Sequence, residues 1–241
     1  MIRNILKLLF VSFFSFQISN ASLVEDGYLE LEKGNVLEAA NIFKNACEKG
    51  AFAGCYNLGL MYYKGEHIAK NYEKAFQLFT KACDEGHKNA CYNLAYMYEK
   101  GQGVQSDSFK AVDLYIKTCK DGISFSCLNL ATMYEKGNGV EQDNFKAVEF
   151  YTKACELNNP KACFSLALKY NNADGVEQSP LTAINLYQKS CDLGYSYACY
   201  NLGVMYIDGK FLSQNKNKAK QYFKQACDMK LDIACKELNN L

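Results

Sequence analysis

The sequence predicts an all-α, right-handed α/α solenoid built from helix-pair repeats, and three observations predict it. Cysteines come in pairs eight residues apart, and each pair follows the last by 36 residues, six times without a slip. In the same register, Leu-small-x-x-Tyr and Ala-x-x-x-aromatic patterns recur at helical spacing. Glycines and short polar residues fall between these segments, where helices stop and start. A fixed period of this size marks a repeat array, in which each unit buries its apolar face only against its neighbours.

From the N-terminus, residues 1–21 read as a secretory signal peptide with cleavage after Ala21. Arg3 and Lys7 make a basic start, Phe10 to Ile18 is almost wholly apolar, and Ser19, Asn20 and Ala21 place small residues where a signal peptidase inspects the chain. The apolar stretch is short for a membrane span, which weighs against the rival reading, an uncleaved anchor. Residues 22–241 then read as a single solenoid. Residues 22–51 form a short capping repeat, with Gly34-Asn35 leading into Ala39, Phe43 and Ala46. Five full repeats cover 52–231, and 232–241 is a closing half-repeat.

Within each full repeat the first helix carries leucine (Leu58, Leu94, Leu130, Leu166, Leu202), a small residue one step later and tyrosine four steps later (Tyr62, Tyr98, Tyr134, Tyr170, Tyr206). The second helix carries alanine and then an aromatic: Phe79, Tyr115, Tyr151, Tyr187 and Phe223. Gly65, Gly101, Gly137 and Gly209 suit the left-handed end of the first helix. Asn71, Asp107, Asp143 and Asn215 stand where N-caps of the second helix belong. The repeat with Ala173 in place of the glycine, and with Ser179-Pro180 opening its second helix, is expected to be locally irregular. Gly50, Gly86, Gly122 and Gly194 break the chain between paired cysteines, with Asn158 in that role once.

On one continuous helix, cysteines eight apart would lie about 12 Å from each other. The intervening turn folds the chain back, so pairing is expected to be local: Cys47–Cys55, Cys83–Cys91, Cys119–Cys127, Cys155–Cys163, Cys191–Cys199 and Cys227–Cys235. Each such bond is worth about 2–3 kcal/mol by chain entropy. Zinc and thioredoxin-like sites use two to four intervening residues, and His67 and His87 cannot complete six metal sites, so no metal and no cofactor are expected. An even cysteine count in an exported chain points to an oxidising compartment, secreted or periplasmic.

Half the residues (49%) are hydrophobic and only 2 are proline, which excludes disorder. The 27 basic residues balance 26 acidic ones, and removing Arg3 and Lys7 with the leader leaves 25 basic residues and a net charge of −1. Without a basic excess, nucleic acid is not an expected partner. After cleavage no membrane span remains, and a monomer is expected.

The motifs Leu-Gly-Leu-Met-Tyr (Leu58 to Tyr62), Gly-x-Gly-Val (Gly101 to Val104, Gly137 to Val140) and Lys-Ala-x-x-Leu-Tyr (Lys110 to Tyr115) resemble the Sel1-like repeat, a branch of the tetratricopeptide-type repeats. With a cysteine pair in each repeat, the chain is similar to the Helicobacter cysteine-rich protein family across residues 22–241. The resemblance implies a superhelix with a concave groove lined by the first helices. It also implies two activities described for the family, protein engagement and penicillin binding with weak β-lactamase action. The latter would make a β-lactam or a peptidoglycan-related small molecule the ligand. The residues give that alternative little support. One Ser-x-x-Lys occurs, Ser213 to Lys216, but no Ser-Asp-Asn or Lys-Thr-Gly accompanies it. His67 and His87 read as solvated.

The face of the first helices away from the core is expected to present Tyr56, Asn57, Tyr92, Asn93, Tyr96, Leu128, Asn129, Tyr200 and Asn201. Asparagine is a mediocre helix former, yet it returns in register in four helices, with Ser165 in a fifth. A ladder of carboxamides flanked by tyrosines suits the backbone of a peptide or protein ligand held in the groove. Alternatively, each asparagine bonds a neighbouring repeat and stiffens the stack.

Overall fold

A computed structural model describes residues 22–241; the signal-peptide reading of residues 1–21 lies outside the described residues. The described residues are helices joined by short turns, without a strand among them. They divide into two compact units, one ending at Leu114 and one spanning Tyr115–Leu241. The first unit holds α1 (22–32), α2 (Val36–Glu48), α3 (Phe52–Lys64), α4 (Tyr72–Asp84), α5 (Lys88–Lys100) and the start of α6 (Ser108–Lys120). The second holds the rest of α6, then α7 (Ser124–Lys136), α8 (Asn144–Glu156), α9 (Pro160–Asn172), α10 (Pro180–Asp192), α11 (Ser196–Asp208), α12 (Lys216–Asp228) and α13 (Asp232–Asn240). Odd-numbered helices are the first of a pair and even-numbered ones the second.

The same local chemistry bounds each helix. Gly65, Gly101, Gly137 and Gly209 take the left-handed conformation at the ends of α3, α5, α7 and α11. Side chains of Asn71, Asp143, Ser179 and Asn215 accept the orphan N–H three residues on, and Asp107 accepts from the Lys110 N–H. The backbone N–H of each capping residue also donates to the tyrosine carbonyl nine positions back. In the first unit these are Asn71 to Tyr62 and Asp107 to Tyr98, both 2.9 Å. In the second they are Asp143 to Tyr134, Ser179 to Tyr170 and Asn215 to Tyr206, at 2.9, 3.0 and 2.9 Å. The ring of that tyrosine is half-buried, and in four of the five repeats a lysine lies over it: Lys74 on Tyr62, Lys110 on Tyr98, Lys146 on Tyr134 and Lys218 on Tyr206, with Thr182 at the lysine's position in the repeat of Tyr170.

The repeat expected to be irregular keeps the common backbone. Ala173 takes the glycine's left-handed conformation at φ 57, and both of that repeat's helices, α9 and α10, are 13 residues long like those of the other full repeats. The sequence broke the glycine rule without breaking the turn, at a strain of about 1 kcal/mol.

Second and first helices of consecutive repeats are tied by the disulfides. Cys47–Cys55 and Cys83–Cys91 have Cα atoms 4.6 Å apart. In the other unit Cys119–Cys127, Cys155–Cys163, Cys191–Cys199 and Cys227–Cys235 span 4.8, 4.6, 4.8 and 4.7 Å. The turns between partners place Gly50, Gly86, Gly122 and Gly194 at positive φ, with Asn158 and Lys230 doing so where glycine is missing.

The core alternates alanines with one large ring per second helix, and the ring type is coupled to its neighbour on the first helix. Phe79 is fully buried and lies against Gly59, where a Cβ would stand 2.7 Å from its Cε1. Phe43 lies likewise on Gly27, and in the second unit Phe223 on Gly203. Tyr151 and Tyr187 have alanine at the equivalent position, Ala131 and Ala167, both fully buried. A phenylalanine ring, with no hydroxyl to satisfy, settles onto bare backbone. A buried tyrosine hydroxyl needs a polar partner, which Tyr151 finds in Glu135.

Candidate functional site

In the first unit, α3 and α5 present a face rich in tyrosine. Tyr56, Tyr92, Asn93 and Tyr96 are half-buried there. Tyr56 stacks on His87 with ring centroids 4.4 Å apart, and the Tyr63 hydroxyl donates to Gln102 Oε1 at 2.9 Å. Burial pushes the Tyr63 hydroxyl up to about 12, and the neighbouring Tyr96, Tyr72 and Tyr92 hydroxyls add to the shift. Burial likewise raises Tyr56, with Tyr28 adding to the shift and the Asn93 carboxamide opposing it. These rings therefore stay neutral at physiological pH and offer flat, hydrogen-bonding contact area.

Asn57, on α3, is only 6% exposed. Its Oδ1 accepts from the Tyr28 hydroxyl at 2.9 Å, while its Nδ2 has no partner. It borders a cavity of about 260 Å³ with Tyr28, Phe43, Leu60, Met61 and His67.

The second unit uses its expected residues differently. Asn129 Nδ2 donates to the Tyr115 hydroxyl at 3.0 Å, so this carboxamide stitches consecutive helices. Leu128, expected on the open face, is 7% exposed and joins the core. Tyr200 and Asn201 are half-buried, and Asn201 borders a cavity of about 250 Å³ with Leu168, Tyr187, Val204 and Phe211. Burial raises the Tyr187 hydroxyl, tempered by the Asn201 carboxamide beside it. A larger cavity of about 530 Å³ lies between α6 and α8, lined by Ile116, Phe150 and Leu157, with Lys153 over the Phe150 ring. It gathers none of the expected groove residues.

Other sequence expectations need correction or addition. His87 is not simply solvated: it is half-buried, and its Nδ1 accepts the Ala90 N–H at 3.2 Å as the N-cap of α5. His67 is exposed and takes a left-handed backbone, φ 65. Ser213 and Lys216 are both exposed, no hydrogen bond joins them among the described residues, and Asn215 between them caps α12. No nucleophile–base pair is assembled there.

A polar cluster around one buried lysine lies outside the sequence expectations. Lys169 occupies the register position held by Met61, Met97, Met133 and Met205, and is 5% exposed. Its ammonium meets Glu135 Oε1 and Asp174 Oδ2, each at 2.5 Å. The Tyr151 hydroxyl donates to Glu135 Oε2 at 2.7 Å, and Asn144 Nδ2 to Asp174 Oδ1 at 2.6 Å. Burial acts to lower the Lys169 pKa, but the two carboxylates overcome it and hold the ammonium above its ordinary value. The signal was a single lysine in a methionine column.

Comparison with known proteins agrees with the repeat and its fold. The Sel1 repeat matches residues 53–87, 88–123, 124–159, 160–195 and 196–231. A solved protective antigen of uropathogenic Escherichia coli is 29% identical, with a TM-score of 0.83 over 91% of this chain; the chain spans 48% of that protein, about half its length. A Sel1 repeat protein from Oxalobacter formigenes is 26% identical at a TM-score of 0.83, covering 90% of this chain and 89% of its own. Helicobacter pylori cysteine-rich protein B is 31% identical over 55% of this chain and 96% of its own, with a TM-score of 0.45. No curated protein matches.

Proposed function

The chain belongs to the Sel1 repeat family, and from that premise we propose that it is a disulfide-stapled scaffold, acting outside the cytoplasm, that binds an extended peptide segment of a protein partner. The observation that carries the proposal is the first-unit face on α3 and α5. There Tyr56, Tyr92, Tyr96 and the Asn93 carboxamide are half-buried, while Asn57 is buried with its Oδ1 taken by the Tyr28 hydroxyl. A carboxamide supplies a donor and an acceptor together, which is what a peptide group needs. Tyrosines add contact area at low entropic cost. The six disulfides support an oxidising compartment, as does the leader-like composition of residues 1–21.

The test is selection of peptides from a random display library on the oxidised protein, followed by affinity measurement. Asn93→Ala is expected to weaken selected peptides about fivefold, the worth of one hydrogen bond, with a smaller loss of thermal stability than Asn129→Ala, since its carboxamide also meets the Tyr56 hydroxyl. Asn129→Ala is the stability control, because its Nδ2 serves the Tyr115 hydroxyl. Failure to enrich any peptide, or parallel loss of stability and affinity in Asn93→Ala, refutes the reading. For the compartment, protein recovered from its host should begin at Ser22 and carry no free thiol; an intact Met1 refutes export with cleavage.

A further inference from the structure

Charge in this chain is sorted by position. Residues 22–43 carry five carboxylates and one lysine, whereas residues 209–227 carry five lysines and no carboxylate. The first stretch is α1 and the start of α2, and the second is built around α12.

Lys216, Lys220 and Lys224 recur every four residues and so form one stripe along α12. All three are exposed, and none is in an ion pair among the described residues. The stripe occupies a face that other second helices use for packing. The register equivalents of Lys220 are Ala40, Phe76, Val112, Val148 and Ile184, all apolar and buried or half-buried. In the second unit that face meets the second helix that follows. Ile116, in the column of Lys224, shares a cavity with Phe150 of α8, and Gln188, one repeat before Lys224, accepts from the Tyr222 hydroxyl of α12. A repeat array needs a polar face wherever packing stops. Polarity alone, however, does not call for a single sign. Like charges four apart on a helix repel, and α8 mixes its signs, pairing Glu149 with Lys153.

A stripe of opposite sign lies on α1. Glu25, Leu29 and Glu32 stand at i, i+4 and i+7 and are exposed, Leu29 by 50%. Neither carboxylate is in an ion pair among the described residues, and the nearby Lys33 ammonium is taken by Glu30. At about 1.5 Å per residue, Glu25 and Glu32 are about 10 Å apart along their helix, and Lys216 and Lys224 about 12 Å apart along theirs. Two such helices lying side by side can make both pairs at once, with Leu29 over the aliphatic stem of Lys220. Beyond Arg3 the chain has no arginine, the residue whose planar fork matches phosphate.

We propose that α12 of one copy docks against α1 of a second copy, with Lys216 and Lys224 on the Glu25–Glu32 pair. The two patches differ, so the contact is heterologous. It leaves α1 of the first copy and α12 of the second open to further copies, and association runs head to tail. The monomer expected from the sequence is then the dilute or high-salt form. The contact uses neither α3 nor α5, so it stands or falls independently of peptide binding.

The experiment is sedimentation equilibrium of the oxidised protein over a concentration series, at about 10 mM and about 1 M salt, where the Debye length falls from about 30 to about 3 Å. The weight-average mass is expected to climb with concentration at low salt and to stay near one chain at high salt. Lys216→Glu/Lys220→Glu/Lys224→Glu and, separately, Glu25→Lys/Glu32→Lys should each weaken association about tenfold or more, because two exposed pairs become two repulsions. Mixed in equal amounts, the two variants again present opposite charges at both contacts and should associate; that rescue also shows both to be folded. Lys117→Glu/Lys120→Glu/Lys136→Glu makes the same change in net charge at other exposed lysines and should associate far more tightly than the α12 variant. A native protein that stays monomeric at low salt overturns the proposal. Uptake of that monomer by phosphatidylglycerol vesicles, lost in the α12 variant, would assign the lysine stripe to a lipid surface instead. Association that survives both charge reversals, or variants that fail to rescue one another, also overturns it.

Discussion

Gly59→Ala should destabilise the protein, although alanine is the better helix former. In a helix interior the exchange gains about 1 kcal/mol from propensity. Here the new Cβ would stand 2.7 and 2.9 Å from Phe79 Cε1 and Cδ1. Phe79 is fully buried and packed among Ala75, Ala82 and Leu94, so it cannot retreat without disturbing the core. Overpacking of this kind costs about 1–3 kcal/mol, which leaves a net loss of about 1 kcal/mol. The second unit supplies the rescue. There Ala131 coexists with Tyr151, so Gly59→Ala/Phe79→Tyr should recover about 1 kcal/mol relative to the sum of the single changes. Urea unfolding of the four proteins in the double-mutant cycle, disulfides intact and followed by far-ultraviolet circular dichroism, measures the coupling. Stabilisation by Gly59→Ala alone, or strict additivity, refutes the idea that glycine is there for the ring.

Three further outcomes are expected. Lys169→Met restores the methionine of the other repeats and should leave stability unchanged or raised by about 1 kcal/mol; Glu135→Gln/Asp174→Asn strands the buried ammonium and should cost about 1–3 kcal/mol, less than a fully buried pair because both carboxylates keep some exposure. Chemical denaturation compares them, and equal losses would refute the compensation. Burial lowers the His87 pKa, so its neutral form is favoured in the folded state; its stabilising contribution is complete above the unfolded value near 6.5 and is lost as pH falls through the lower folded value. Against His87→Asn, which keeps an acceptor for Ala90 without titrating there, the native protein should lose more stability as pH falls below 6.5, and matching pH profiles would refute the cap. Cys155→Ala/Cys163→Ala should cost about 2–3 kcal/mol by chain entropy, read from the urea midpoint, and an unchanged midpoint would refute a stabilising role.

Much of the fold was legible because it rests on local rules repeated at one interval. The glycine stops, the Asn and Asp caps and the cysteine turns each depend on a few adjacent residues, and their recurrence made each occurrence a check on the rest. The site was less legible, because its chemistry lies in contacts between columns of the repeat. Asn129 and Asn57 look alike in sequence; what separates them is whether residue 115 or 43, on the facing helix, has a hydroxyl. Leu128 entered the core because its helix is apolar on more than one side. Lys169 announced itself as a misfit, but its partners Glu135 and Asp174 come from a different repeat and from a loop, and only the fold brings them together. His87 was misread for a local reason: a histidine after a turn glycine can cap a helix through Nδ1, and treating it as solvated ignored that acceptor.

Every disulfide joins one cysteine to the next cysteine along the chain, eight residues away. Twelve cysteines allow on the order of ten thousand complete pairings by the same counting that gives 105 for eight. Almost all of them are disfavoured while the chain is still unfolded. The nearest wrong partner, such as Cys55 with Cys83, closes a loop of 28 residues rather than 8, a difference of about 1 kcal/mol in closure entropy at each pair. Were the chain threaded through a membrane pore into an oxidising space, as proposed above, its thiols would emerge in order. An oxidant that joins each arriving cysteine to the one just before it produces the native set, starting with Cys47 and Cys55. Such a protein can mature without a disulfide shuffler, and lengthening the array by whole repeats adds bonds without adding ambiguity.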